Sequence, residues 1–177
     1  MTDALVVNIV GALALAVASD VERATEQSSE LSRSDAAAMM VIAQQPGLSI
    51  DRLRQILKLS HSGCVRLVDR LVQSGLVSRE AGPDGRTVSL KAVRLGLDKA
   101  AHISNSRLSL LRAKLGSLSA DELDQLGKIA SKLLAESAST AIEAQRVCRL
   151  CDQAVCFRRG QCPVATGLKR YTERQSQ

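Results

Sequence analysis

The stretch LSIDRLRQILKLSHSGCVRLVDRLVQSGLVSREAGPDGRTVSL, residues 48–90, decides the fold of this chain. It contains two short amphipathic segments, 50–57 and 61–74, which are separated only by residues 58–60. Such a short connection between two helices predicts a helix-turn-helix.

The residues that flank these segments favour the same boundaries. Ser49 and Ser60 each stand directly before a segment, where a hydroxyl can accept a hydrogen bond from the free backbone N–H groups of a first helical turn. Gly75 follows the second segment and suits the left-handed backbone that commonly ends a helix. Both predicted helices therefore have a marked start, and the second also has a marked end.

The second segment separates its side chains onto two faces of a helix. One face is apolar and predicts packing against the core; its members are Cys64, Leu67, Val68 and Leu71. The other face is mostly polar and is free for recognition; its members are His61, Ser62, Val65, Arg66 and Asp69.

A β-hairpin is predicted directly behind this helix. Two short extended runs, 76–79 and 87–90, enclose the turn-forming residues 80–86. A hairpin in this position is the wing of a winged helix-turn-helix.

These residues resemble the winged helix of MarR-type bacterial transcription regulators. The resemblance rests on three motifs, which are Leu59-Ser60-x-Ser62-x-x-x-Arg66-Leu67-Val68-Asp69-Arg70-Leu71, Gly75-Leu76-Val77-x-Arg79 and Asp84-Gly85-Arg86. It implies a mainly α fold with a small β-hairpin wing and long N- and C-terminal dimerisation helices. It also implies a homodimer that binds double-stranded DNA and regulates transcription.

The chain is accordingly divided into four parts. They are an N-terminal dimerisation helix over 1–31, the DNA-binding domain over 32–92, C-terminal dimerisation helices over 93–146 and a Cys-rich metal-binding tail over 147–177. Helical periodicity predicts individual helices over 3–29, 33–45, about 93–116 and about 120–146.

The first helix is apolar almost all round in its first half, so a single contact face cannot cover it. In the MarR-like arrangement it joins the C-terminal helices of both subunits; the alternative is an ordinary buried core helix. Its apolar run, 4–18, is shorter than the roughly 20 residues of a membrane span. No secretory signal is visible at the start, so a cytoplasmic protein without membrane contact is expected.

Positive charge collects on the predicted DNA-binding unit. The net charge of the chain is +6. Residues 49–91 hold eight basic and four acidic side chains, whereas residues 1–48 hold two basic and six acidic ones. A phosphate-binding surface needs such a distribution.

Seven residues are predicted to contact DNA. Four of them are expected to face the major groove, and these are His61, Ser62, Val65 and Arg66. Arg70 is expected to contact the DNA backbone. By resemblance, Asp84 and Arg86 make the wing contact, in which the guanidinium enters a narrow minor groove and the carboxylate braces it. Two-fold symmetry predicts a pseudo-palindromic operator with half-sites about 34 Å apart.

Four cysteines lie close together near the end of the chain. Cys148, Cys151, Cys156 and Cys162 have the spacing C-x2-C-x4-C-x5-C-P, and thiolates suit zinc or iron–sulfur clusters. Only one C-x2-C pair is present, whereas structural zinc sites of four thiolates usually use two. The run also loosely resembles the cluster-binding loop of redox-sensing MerR-type regulators. An iron–sulfur cluster that modulates DNA binding is therefore predicted, with zinc as the alternative.

The sequence leaves three other interpretations open. The chain could be a winged-helix regulator with a purely structural zinc and a small-molecule effector, or a protein-assembly module. His61 and Cys64 could form a nucleophilic pair, but no orienting third group is found, so no enzymatic activity is expected.

Overall fold

The computed structural model describes residues 2–82, 87–158 and 162–175 and has the predicted fold, mainly helical with a small sheet. The elements are α1 (Asp3–Ser29), α2 (Arg33–Gln44), β1 (Leu48–Ser49), α3 (Ile50–Leu57), α4 (His61–Gln73), β2 (Val77–Ala81), β3 (Val88–Ala92), α5 (Arg94–Leu115), α6 (Ala120–Ala135), α7 (Ala141–Val147), α8 (Gln153–Arg158) and α9 (Pro163–Gln175).

The predicted helix-turn-helix is confirmed together with its caps. The Ser49 hydroxyl accepts a hydrogen bond from the Arg52 N–H at 3.1 Å, and the Ser60 hydroxyl accepts one from the Gly63 N–H at 3.1 Å. Gly75, just beyond α4, has φ +65°, the left-handed conformation that glycine adopts without a steric penalty.

The predicted hairpin is formed by β2 and β3, which pair antiparallel from Val77 opposite Ala92 to Ala81 opposite Val88. The strand order is β1-β3-β2, because the two-residue strand β1 pairs with β3, with Leu48 opposite Leu90. Sequence reasoning did not predict β1, which is too short to show an alternating pattern.

The core lies between α2, the helix-turn-helix, the sheet and the start of α5. It is built from aliphatic side chains and methionine; those under 2% exposed include Met39, Ile42, Leu53, Ile56, Leu67, Leu71, Leu90 and Ile103. With one Phe, one Tyr and no Trp in the chain, close packing of branched side chains replaces the aromatic residues of a usual core.

Gly96 lets α5 approach the start of the wing closely. A Cβ at this position would lie far inside contact distance of the Leu76 carbonyl oxygen and 3.1 Å from Met39 Cε.

We expect Gly96→Ala to lower the free energy of unfolding by at least about 2 kcal/mol, because backbone atoms would have to move. Urea unfolding followed by circular dichroism measures this. Leu95→Ala, at a 56% exposed position, is the control and should stay within about 0.5 kcal/mol; an unchanged midpoint for Gly96→Ala would refute the close approach.

Helix α1 is covered by its own chain only in its second half. There it packs along α5, with the Ser106 hydroxyl donating to the Ala24 carbonyl at 3.4 Å and an ion pair between Lys114 and Asp20 at 2.6 Å. Its most apolar 18-residue window has a mean hydropathy of 2.1 and is 6% buried. By length and composition alone α1 could cross a membrane. The alternative of an ordinary buried core helix is wrong within one chain, since Leu13 is 55% exposed.

The prediction of a single last helix over 120–146 is wrong. The helix breaks after Ala135, and α7 starts anew at Ala141. The cause is a capping box: the Thr140 hydroxyl accepts from the Glu143 N–H at 3.2 Å, and the Glu143 carboxylate accepts from the Thr140 N–H at 3.1 Å. This signature is present in the sequence, but the apolar stripe continues through it and by itself favours one long helix.

The tail folds back onto α6. Val164 in α9 is 3% exposed, and Gly167 lies so close to the Ala135 backbone that a Cβ would overlap its carbonyl group. The cysteine segment is therefore held between α7 and α9.

Candidate nucleic-acid interface and four-thiol site

At the positions predicted to read DNA, the outer face of α4 is turned away from the core. His61, Ser62 and Arg66 are exposed and Val65 is half-buried, whereas the opposite face is buried in the core. Within the described ranges the Arg66 guanidinium has no ion pair or hydrogen bond, so its donors are available to a ligand.

Arg70 has a structural role in this chain. Its Nη2 and Nε lie 2.6 and 3.3 Å from the two carboxylate oxygens of Asp35, which is 8% exposed. This hydrogen-bonded pair raises the pKa of Arg70 above its ordinary value and fastens α4 to α2. The Arg70 side chain is still 54% exposed, and its predicted contact with the DNA backbone stays a prediction.

The wing is tied to α4 by an ion pair between Arg79 on β2 and Asp69 on α4 at 2.7 Å. This contact fixes the direction in which the hairpin leaves the recognition helix. Asp84 and Arg86, predicted at the wing tip, lie outside the described residues, and their roles stay predictions.

The four tail cysteines line one cavity. It has a volume of about 410 Å³, and its wall is completed by small and apolar side chains and three glutamines; the lining residues are Gln45, Ala141, Ala144, Gln145, Cys148, Cys151, Gln153, Cys156, Cys162, Val164, Ala165 and Leu168. The thiols come from the end of α7, the turn that follows it, α8 and the start of α9. They converge without forming a closed coordination sphere: across the described ranges no group of three or more His, Cys, Asp or Glu side chains is arranged to hold a metal ion.

Hydrogen bonding makes the thiols unequal. The hydrogen bond from the Cys148 thiol lowers the pKa of Cys151 to about 6; burial opposes this shift and the charges of Arg107 and Arg149 support it. The same hydrogen bond, together with burial, raises the pKa of Cys148, and burial raises that of Cys156. Of the three tail thiols whose pKa is shifted, Cys151 is thus the one that loses its proton most readily, and the thiolate is the form that binds metals.

The cysteine segment lies directly on the DNA-binding domain. The side-chain amide of Gln44, at the end of α2, donates to the Cys151 carbonyl at 2.9 Å, and Gln145 donates to the side-chain oxygen of Gln45 at 3.0 Å. Gln145 Oε1 is buried without a hydrogen-bond partner among the described residues. No local signal in the sequence indicated that α2 would receive this segment.

Cys64 belongs to the core, as predicted. It is 0% exposed and its thiol donates to the Ile50 carbonyl at 3.6 Å, which joins α4 to the start of α3. Burial raises its pKa to about 11, so it is an unreactive thiol at neutral pH.

Comparison with known proteins supports the fold. The sequence model of the MarR family matches residues 29–87, one third of the chain. Among solved structures, YusO from Bacillus subtilis is 20% identical with a TM-score of 0.65, over 78% of this chain and 99% of that one. MepR, a transcription regulator of the Staphylococcus aureus multidrug efflux pump MepA, is 14% identical with a TM-score of 0.62, over 76% of this chain and 98% of MepR. The multiple antibiotic-resistance repressor MarR of Listeria monocytogenes is 20% identical with a TM-score of 0.59, over 73% and 90%. No curated protein matches the sequence. The chain thus has the MarR winged-helix fold.

Proposed function

We propose that this chain is a cytoplasmic transcription regulator of the MarR family that binds a pseudo-palindromic DNA operator as a homodimer. The observation that carries this proposal is the exposed outer face of α4, on which the Arg66 guanidinium has no partner among the described residues, in a winged helix to which the MarR family model aligns. A recognition helix with this exposure places side chains against base edges in the major groove.

A second copy of the chain supplies the missing cover of the terminal helices. Large apolar side chains are exposed along both α1 and α6; those at least 45% exposed are Leu5, Val7, Ile9, Val10, Leu13, Leu15, Leu123, Ile129 and Leu133. Exposed apolar side chains in this number are typical of an interface between subunits. A two-fold dimer presents two α4 helices, and a palindromic target requires two.

We expect Leu13→Glu to convert the dimer to a monomer, because the change puts two buried carboxylates into a two-fold apolar contact. DNA affinity should fall by about a hundredfold or more, since one subunit loses the joint binding of two half-sites. Light scattering after gel filtration measures the mass, and a mobility shift measures the affinity. Leu13→Met is the matched control and should remain a dimer; a dimeric Leu13→Glu that binds DNA normally would contradict the proposed interface.

The DNA binding of this regulator is proposed to depend on an iron–sulfur cluster held by Cys148, Cys151, Cys156 and Cys162. Four thiols around one cavity form a donor set suited to a cluster, and Arg107 and Arg149 offset its negative charge. When bound, the cluster supplies a site that can be oxidised, lost and reassembled. A single zinc ion, which would draw the four sulfurs to about 2.3 Å from the metal, is the alternative occupant of the same thiols.

Purification without oxygen tests the identity of the bound group. Iron and sulfide in the protein, with broad visible absorption, would support the cluster. A colourless protein with one equivalent of zinc would contradict it and leave a structural zinc site. A protein-assembly role in place of DNA binding predicts no salt-sensitive shift of any duplex.

A further inference from the structure

One arginine of the cysteine segment reaches the helix that precedes the recognition helix. Arg146 lies in the last turn of α7, two residues before Cys148. Its Nη2 donates to the Gln55 carbonyl at 3.0 Å, and its Nε lies 3.4 Å from the Ile56 carbonyl, to which it also donates. The carbonyls of a last helical turn have no partner inside their own helix. Arg146 therefore caps the C-terminus of α3 from a distant part of the chain.

This end of α3 leads directly into the recognition helix. Lys58 has the left-handed conformation with φ +55°, and the N–H groups of Lys58 and Leu59 both donate to the Arg54 carbonyl. Ser60 then caps α4. Because the turn contains only three residues, the last carbonyls of α3 and the start of α4 are closely coupled.

The same arginine is connected to the thiol cavity. Arg149 Nη1 donates to the Arg146 carbonyl at 2.8 Å, and the Cys148 N–H donates to the Ala144 carbonyl at 3.0 Å at the end of α7. The Gln44 contact holds the Cys151 carbonyl against α2. The cavity wall, Arg146 and the end of α3 thus form one continuous set of contacts within a single subunit.

We propose that Arg146 is the positioning residue through which occupancy of the four-thiol site reaches the recognition helix of the same subunit. This inference rests on the proposed function. When the four thiols are ligated, α7 is fixed and Arg146 stays on the α3 carbonyls. When the ligand is lost, the segment loosens, α3 loses its cap and α4 is held less firmly. The signal passes inside each subunit and needs no change in the dimer contact.

The test compares full-length Arg146→Ala with wild type, each as isolated without oxygen and after removal of the bound metal. The probe is a duplex that wild-type protein selects from a random pool, and anisotropy gives the affinity. For wild type we expect removal to weaken binding about tenfold, as the loss of a hydrogen bond from a charged group allows. For Arg146→Ala the affinities before and after metal removal should be about equal, and the iron and sulfide content of the isolated protein should be unchanged. Arg146→Lys, which can cap one carbonyl, should be intermediate, and Arg170→Ala, an equal loss of charge on α9, should match wild type.

Hydrogen exchange in the turn between α3 and α4 gives a readout that does not involve DNA. Metal removal should speed exchange at residues 57–60 in wild type, and metal-loaded Arg146→Ala should already exchange fast. The inference would be overturned if metal removal weakened DNA binding by Arg146→Ala as much as it weakens binding by wild type, and if the turn in Arg146→Ala stayed protected. Loss of iron from Arg146→Ala would also overturn it, since Arg146 would then support the site itself. If metal removal left the DNA affinity of wild type unchanged, the proposed function would be contradicted as well.

Discussion

The double variant Cys151→Ser, Cys156→Ser is expected to be isolated without iron and to bind DNA about tenfold more weakly than wild type. Cys151 is the tail thiol whose pKa is lowered, to about 6, and the thiolate is the form that binds iron. A serine hydroxyl stays protonated and is a poor ligand for iron. Removing two of four ligands should leave no cluster, and the tail should no longer hold the α3 end. Iron and sulfide analysis and a titration of operator DNA measure the two effects.

Cys64→Ala is the matched control for this experiment. Cys64 is buried in the core and does not line the thiol cavity. This variant should keep its iron and its DNA affinity, at a cost of about 1 kcal/mol or less in folding stability. A double serine variant that retains a full complement of iron would show that the cavity is not the site.

Arg66→Ala and Arg86→Ala are expected to weaken DNA binding in two different ways. Arg66 has no partner among the described residues and can donate two hydrogen bonds to a guanine, so its loss should reduce affinity for the preferred operator by about 10- to 150-fold. Binding to unrelated duplexes should change little. Arg86→Ala should instead weaken binding to all sequences and reduce the salt dependence by about one unit, because the predicted minor-groove contact loses one positive charge.

Measurements at two salt concentrations, on the preferred duplex and on a scrambled one, separate these effects. Arg170→Ala removes the same charge far from α4 and should behave as wild type. Equal affinity of wild type and Arg86→Ala at both salt concentrations would refute the wing assignment. An Arg66→Ala variant with full operator affinity would show that another residue reads the operator.

The DNA-binding domain could be predicted from the sequence because its signals are local. The caps at Ser49 and Ser60, the left-handed Gly75 and the apolar face of α4 each follow from a few neighbouring residues. These local preferences agree with the tertiary fold, so the helix boundaries and the buried face were correctly predicted.

The position of the tail could not be predicted, because it depends on contacts between distant residues. Arg146 meets carbonyls about 90 positions earlier in the chain, and Gln44 meets Cys151 across 107 positions. Backbone carbonyls carry no sequence signature, so nothing in the sequence marks them as partners. The pairing of Arg70 with Asp35 also joins distant residues, 35 positions apart, and neither side chain carries a local signal for it.

The spacing of the two half-sites tests the central claim most directly. If two α4 helices of one dimer enter successive major grooves, inserting five base pairs between the half-sites turns one of them to the opposite side of the duplex. Metal-loaded wild-type protein should then bind at least about a hundredfold more weakly, and inserting ten base pairs should harm binding less than five. Equal affinity for the original and the five-base-pair duplex would contradict a dimer with two reading helices.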